Sequence, residues 1–288
     1  MEDQAEGLRM KLKQQESSMV TKTIAVVSGK GGVGKSNISL NFAISLKKKG
    51  HSVLLFDMDI GMGNIDILMG NSSTYSIADF FTNTVPLRDM ITEVPGGIHY
   101  IAGGTGLSQL TKISREAFHY FSNQFSTLLL EYEYVILDMG AGINESSLRF
   151  ILAVDEIIVV TTPEPTSITD AYAAMKYITL ENKMIPFYIV VNRAHSEKEG
   201  VATFNRISKV LTHFLEKNAI FLGALPDDQI ISQAVRKQIP FIQLNEKAPA
   251  SKALSDMTEK YCQGQFDQPA NLDKENFVAK LKRFLFER

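Results

Sequence analysis

The sequence predicts an α/β fold: a doubly wound, mainly parallel β-sheet with helices on both faces. Two observations carry this. From Thr21 onward, short runs made almost wholly of Val, Ile and Leu alternate with helical patterns, and strands of that composition are buried on both sides by helices. Each polar motif also follows the end of an apolar run, and such sheets gather ligands beyond the carboxyl ends of their strands. No internal repeat or Pro/Gly-rich boundary interrupts 21–262. The expected division is a segment 1–19, one domain 20–264, and a linker with a terminal helix over 265–288.

With 288 residues, 44% hydrophobic and 22% charged, the chain has an ordinary globular make-up. A net charge of −2 supplies no bulk drive toward nucleic acid, and no nucleic-acid partner is expected. Cys262 is the only cysteine, which excludes an internal disulfide and fits a reducing compartment. No run approaches membrane-spanning length, and the charged N-terminus lacks the apolar core of a secretory signal. The expectation is a cytoplasmic protein, at most peripheral at a membrane.

Taken in order, the first predicted strand, 23–28, opens onto Ser28-Gly29-Lys30-Gly31-Gly32-Val33-Gly34-Lys35-Ser36, and a helix is predicted over 37–49 from Asn37. Strand, glycine-rich turn and helix with Lys-Ser at the helix start is the setting of a phosphate-binding loop. Its backbone N–H groups face the phosphates, Lys35 reaches the β/γ-phosphates, and the Ser36 hydroxyl ligates Mg²⁺. The site predicted is one for ATP or ADP with Mg²⁺. The second strand, 52–57, ends in Asp57-Met58-Asp59. Beside a triphosphate, one such carboxylate can assist Mg²⁺ or a loop lysine and the other can orient the attacking water.

A helix near 76–81, a strand over 98–102 and a helix over 114–131 precede the strand 134–138, which closes on Asp138 in the manner of a Mg²⁺-holding Walker B aspartate. After a helix over 146–153, the strand 156–161 stops at Thr162-Pro163-Glu164-Pro165, where Thr166 or Ser167 is placed to cap the helix 167–181. The strand 186–191 ends in Asn192-Arg193; a helix follows over 201–217 and a last strand over 219–223 leads to Leu225-Pro226-Asp227-Asp228. In the terminal helix Phe277, Val278, Leu281, Phe284 and Leu285 share one face, with Lys280, Lys282 and Arg283 around it. That pattern suits an interfacial membrane anchor or a helix packed on its own domain.

The string Lys30-Gly31-Gly32-Val33-Gly34-Lys35-Ser36 resembles the deviant Walker A loop of the MinD/ParA family of dimerising ATPases. The resemblance spans about 21–262 and implies slow, Mg²⁺-dependent ATP hydrolysis by an ATP-dependent homodimer. It implies that Lys30 reaches the partner's nucleotide and that Asp59 acts on the hydrolytic water. It further implies that Glu164 and Asp170 lie near the dimer interface, that Asn192 reads adenine, and that Pro226 and Asp227 close over the base. Met139 departs from the small residue or proline the family places after the Walker B aspartate. A C-terminal amphipathic helix in the family meets membrane lipid.

By periodicity alone the N-terminal residues read as a polar tail with a short stripe at Ala5, Leu8 and Leu12. The stretch Asp3-Gln4-Ala5-Glu6-Gly7-Leu8-Arg9, however, resembles the DQAxxLR segment of the family's FlhG (YlxH/FleN) branch. That resemblance implies activation of the GTPase FlhF through Asp3, Gln4, Ala5, Leu8 and Arg9, contact with flagellar C-ring proteins, and control of flagellar number or placement. A division-site or DNA-partitioning ATPase of the same family is the alternative. A metal-insertion ATPase would need closely spaced cysteines, and a non-hydrolysing scaffold would not need Lys35, Asp59 and Asp138 together.

Overall fold

The computed structural model describes residues 21–59, 64–71, 73–77, 79–80, 85–103, 115–265 and 276–286. Its strands are β1 (Lys22–Val27), β2 (Val53–Met58), β3 (Thr92–Val94), β4 (Ile98–Ile101), β5 (Tyr134–Met139), β6 (Glu156–Thr161), β7 (Phe187–Ala194) and β8 (Ala219–Pro226). Its helices are α1 (Lys35–Lys48), α2 (Asn64–Met69), α3 (Arg115–Leu129), α4 (Glu145–Ala153), α5 (Pro165–Glu181), α6 (Glu197–Leu215), α7 (Gln229–Lys237), α8 (Phe241–Leu244), α9 (Pro249–Cys262) and α10 (Phe277–Phe286). The strands form one sheet in the order β3-β4-β2-β5-β1-β6-β7-β8, parallel except where β3 pairs antiparallel with β4.

Alternation along the strands builds the layers. Ala25, Val27, Leu54, Phe56, Val135, Leu137, Ile157 and Val159 point to one face, where α3, α4, α5, α6 and α10 cover them. Ile24, Val26, Val53, Leu55, Ile136, Ile158 and Val160 point to the other, under α1, α7, α8 and α9. Each interior run of Val, Ile and Leu is thus apolar because both of its sides are core. β5 inserts between β1 and β2, and β6 lies on the other side of β1. The sheet reverses direction of growth at β1, where a crevice opens at the carboxyl ends.

All seven predicted strands are present, with ends shifted by at most three residues. The three-residue β3 was not foreseen, nor were α2, α7, α8 and α9. Of the helix expected at 76–81, Ile77, Asp79 and Phe80 are helical, Ser76 bridges Ala102, and Phe81 lies outside the described residues. So do Asp3, Gln4, Ala5, Leu8 and Arg9, the stretch Gly61–Gly63 after the second strand, and the linker 266–275.

The terminal helix takes the second of the two places its pattern suits. The face assigned to lipid is docked on the domain: Phe277, Val278, Leu281 and Phe284 are buried and Leu285 is partly buried. Phe277 packs on Phe125 and Phe286 on Phe118, with ring centroids 5.6 and 5.1 Å apart. Lys280, buried as well, reaches Asp155 at 3.1 Å. Asp155 also accepts from the Thr23 amide at 2.9 Å and hydroxyl at 2.7 Å, which ties α10 to the start of β1. The physical reason is supply: α3 and α4 present an aromatic groove, and this helix has the phenylalanines to fill it. Among the described residues no helix is long and apolar enough to cross a membrane.

Candidate functional site

The crevice beyond β1 is a cleft of about 870 Å³. Gly31, Gly32, Gly34, Lys35, Ser36, Asn37, Asp59, Asn192, Arg193 and Asp227 line it, so it gathers most of the residues picked out along the sequence. At the loop's entry Gly29 has no room for a side chain, since a Cβ there would stand 2.1 Å from the carbonyl of Asp170. The loop therefore lies directly against α5, the helix that carries Asp170 and follows Glu164. Lys30 is exposed beside this contact, and Glu164 is exposed too. The Ser28 hydroxyl, itself buried, donates to the Lys30 carbonyl at 3.0 Å and fixes the loop's first turn.

Lys35 opens α1 and is buried, its Nζ 2.8 Å from Asp138 Oδ1 at the end of β5. Ser39, one turn further along α1, donates to the same oxygen at 2.8 Å. The other oxygen, Asp138 Oδ2, is buried with no hydrogen-bond partner. A carboxylate oxygen held dry and unsatisfied is costly unless a ligand completes it. With the Ser36 hydroxyl 3.4 Å from Lys35 Nζ, the arrangement fits a small oxygen-seeking cation such as Mg²⁺. Ser39 was missed in the sequence, although its place four residues after Lys35 puts it on the same helical face.

Strand register sets Asp57 beside Asp138. Asp57 is fully buried, and burial first and the Asp138 charge second push its carboxyl up to about 7. Its Oδ1 accepts from the Asp59 amide at 2.9 Å, and Tyr100 from β4 lies 3.4 Å from Oδ2. Tyr100, also missed, is a buried aromatic within an apolar strand and gave no polar signal. Asp59 itself lines the cleft, its Oδ1 only 3.0 Å from where a Cβ on Gly140 would stand. Met139, the departure after Asp138, turns into the core and leaves the cleft to Ala141.

On the far side, Asn192 Nδ2 donates to the Val33 carbonyl at 2.8 Å and Arg193 Nη2 to the Gly32 carbonyl at 2.9 Å. Beside Leu225, the residues Ile231, Val235, Phe241, Ile67 and Leu68 give this end an apolar wall that sequence reading passed over. Pro226 is not brought into the cleft; it lines a separate hollow beside α6 and α9. Asp228 caps α7 through the Ile230 amide and also binds the Ala250 amide. The hydroxyl expected to cap α5 does something else: Ser167 Oγ ties the end of β6, 3.0 Å from both Thr161 Oγ1 and the Thr162 amide.

Such a loop, with its lysine on a strand-end aspartate at the switch point of a parallel sheet, defines a P-loop nucleotide-binding protein. The ParA family model, described as NUBPL iron-transfer P-loop NTPase, matches residues 19–262. The antiactivator FleN of Pseudomonas aeruginosa is 34% identical over 249 residues, 86% of this chain and 89% of that protein. The flagellum site-determining protein YlxH of Helicobacter pylori is 39% identical over 220 residues, 76% of this chain and 74% of that one. Among solved structures, MinD of Pyrococcus horikoshii complexed with Mg-ADP matches at a TM-score of 0.69 and 20% identity, covering 88% of this chain and all of that one. The chain belongs to the ParA/MinD family of P-loop ATPases, in its FlhG-type branch.

Proposed function

We propose that the protein is a slow, Mg²⁺-dependent ATPase that alternates between an ADP-bound monomer and an ATP-bound dimer and through that switch sets flagellar number or placement. The observation that carries the chemistry is the buried Lys35–Asp138 pair with Asp138 Oδ2 unpartnered, on the same loop that exposes Lys30. The flagellar assignment rests on the names of the FleN and YlxH relatives. MinD of Bacillus subtilis, a septum site-determining protein, is 28% identical over 267 residues and supports the second reading, a family ATPase that positions another cargo.

In this reading Lys35 would turn from Asp138 to the β- and γ-phosphates, leaving Asp138 Oδ1 held by Ser39 and Oδ2 open. Ser36 and Asp138 would hold Mg²⁺, which would supply positive charge against the phosphates. Asp59 orients the attacking water, with Asp57 behind it. Lys30 leaves its own loop's surface and offsets charge on the partner's nucleotide, with Glu164 and Asp170 along the shared face. Asn192 and Asp227 stand on the base side. The N-terminal segment with Asp3, Gln4, Ala5, Leu8 and Arg9 stimulates FlhF, C-ring proteins are further partners, and lipid receives α10 when it leaves its groove.

Size-exclusion chromatography with light scattering tests the switch in the Asp59→Ala background, where ATP should give a stable dimer and ADP a monomer. Adding Lys30→Ala should return the ATP form to monomer while ATP still binds. An Asp59→Ala protein that stays monomeric in ATP, or a dimer indifferent to Lys30, would refute the proposal.

A further inference from the structure

We infer that Asn192 and Arg193 are positioning residues of the phosphate loop: they hold two successive loop carbonyls and so aim the loop's amides at the anion. This rests on the nucleotide reading of the cleft. Two neighbouring residues at the end of β7 grip two neighbouring carbonyls about 160 positions away, Asn192 on Val33 and Arg193 on Gly32. In a planar trans peptide the C=O and the following N–H point in opposite directions. Holding the Gly32 carbonyl toward β7 therefore turns the Val33 N–H away from it. Holding the Val33 carbonyl does the same for the Gly34 N–H. These are amides that a phosphate loop offers to its anion.

Three further features fit a brace. Asn192 is only 4% exposed, and its amide nitrogen lies 2.4 Å from where a Cβ on Gly34 would stand, so the side chain is packed onto the loop. The other end of the same amide holds its neighbour: Oδ1 accepts from the Arg193 N–H at 3.0 Å. Arg193 adopts a left-handed backbone, φ 57°, which a side-chain-bearing residue occupies at a cost. That turn swings the guanidinium back onto Gly32, and the Asn192 oxygen holds the turn. One amide thus grips the loop directly and fixes the residue that grips it next.

The test uses the full chain and calorimetric binding of three Mg²⁺-loaded probes: ADP, GDP and inorganic pyrophosphate. Arg193→Gly removes the guanidinium at a φ that glycine adopts freely, so it leaves the fold unstrained. It should weaken all three probes by the same factor, about tenfold for a charge-assisted bond. The ADP-to-GDP ratio and the ligand-free melting temperature should stay unchanged, and Arg193→Lys should recover part of the loss. Selective weakening of ADP with pyrophosphate untouched would make this pair a base reader and overturn the brace. Unchanged binding of all three probes, or a melting temperature that falls with them, would overturn it too. Wild-type protein that binds none of the probes would instead remove the nucleotide reading underneath.

Discussion

Asp57→Asn should stabilise the ligand-free protein at alkaline pH and make its stability less sensitive to pH. The buried Asp57 carboxyl is displaced from its ordinary 3.8 to about 7, first by desolvation and then by Asp138. Between those values the folded chain holds a proton that the unfolded chain has released. The stabilisation this proton carries is complete below pH 3.8, drains away as pH rises toward 7, and is level above. Between pH 5 and pH 8 about two units of that window are crossed, so wild type loses about 3 kcal/mol through this one group. Asparagine has no proton to lose and keeps the oxygen that accepts the Asp59 amide. Urea unfolding in a chelating buffer without nucleotide, at pH 5, 6, 7 and 8, reads the difference. The gap between variant and wild type should widen by about 3 kcal/mol across the series. Parallel profiles would show that Asp57 is ionised throughout and that its burial is offset by Lys35.

Other perturbations follow from geometry. Gly29→Ala would force the loop off α5, because its Cβ has only 2.1 Å to the Asp170 carbonyl; calorimetry should show at least about a tenfold loss of ADP affinity, and unchanged affinity would mean that the loop and α5 move apart freely. Leu281→Ala should cost about 2–5 kcal/mol in chemical unfolding, since Leu281 is fully buried in the groove; a cost below about 1 kcal/mol, the range of surface substitutions, would mean the helix spends its time elsewhere. Deleting residues 1–13 should abolish stimulation of FlhF GTPase while ADP still binds, and undiminished stimulation would remove that partner assignment.

Most of the sheet was legible because six of the seven predicted strands are interior, and burial on two sides leaves an unbroken apolar run that few other environments produce. β8, an edge strand paired only with β7, was legible from the apolar residues at its start. β3 is an edge piece with a single neighbour, β4, and Thr92-Glu93-Val94 carries no such mark. The helices α7 and α9 escaped for a different reason: each faces the core with one narrow stripe, interrupted by Gln, Ser and Lys. In the site, Lys35, Asp59 and Asp138 were readable because the loop motif and the strand ends announce them. What Lys35 touches was not, since Asp138 lies 103 residues away and the pair exists only through the β1–β5 register. Asn192 shows the same limit from the other side. Its position at a strand end was plain, but its grip on Val33 across 159 residues is a property of folded space. Pro226 sits in the motif yet lines another hollow, while Leu225 and Asp227 on either side of it line the cleft.

The docked terminal helix has a consequence for how this protein meets any apolar surface. Phe277, Val278, Leu281 and Phe284 are worth roughly 1.5–3 kcal/mol each when withdrawn from water, and the domain already collects that sum. A bilayer that takes the helix gains it only as the groove gives it up, so attachment is an exchange between two solvents for one set of side chains. Any affinity for lipid would then be set as much by Phe118, Phe125 and the Asp155 carboxylate as by the helix itself. A change of about 1.4 kcal/mol anywhere in the groove shifts the partition tenfold, and a chain that lacks the helix bares the groove instead of merely losing an anchor.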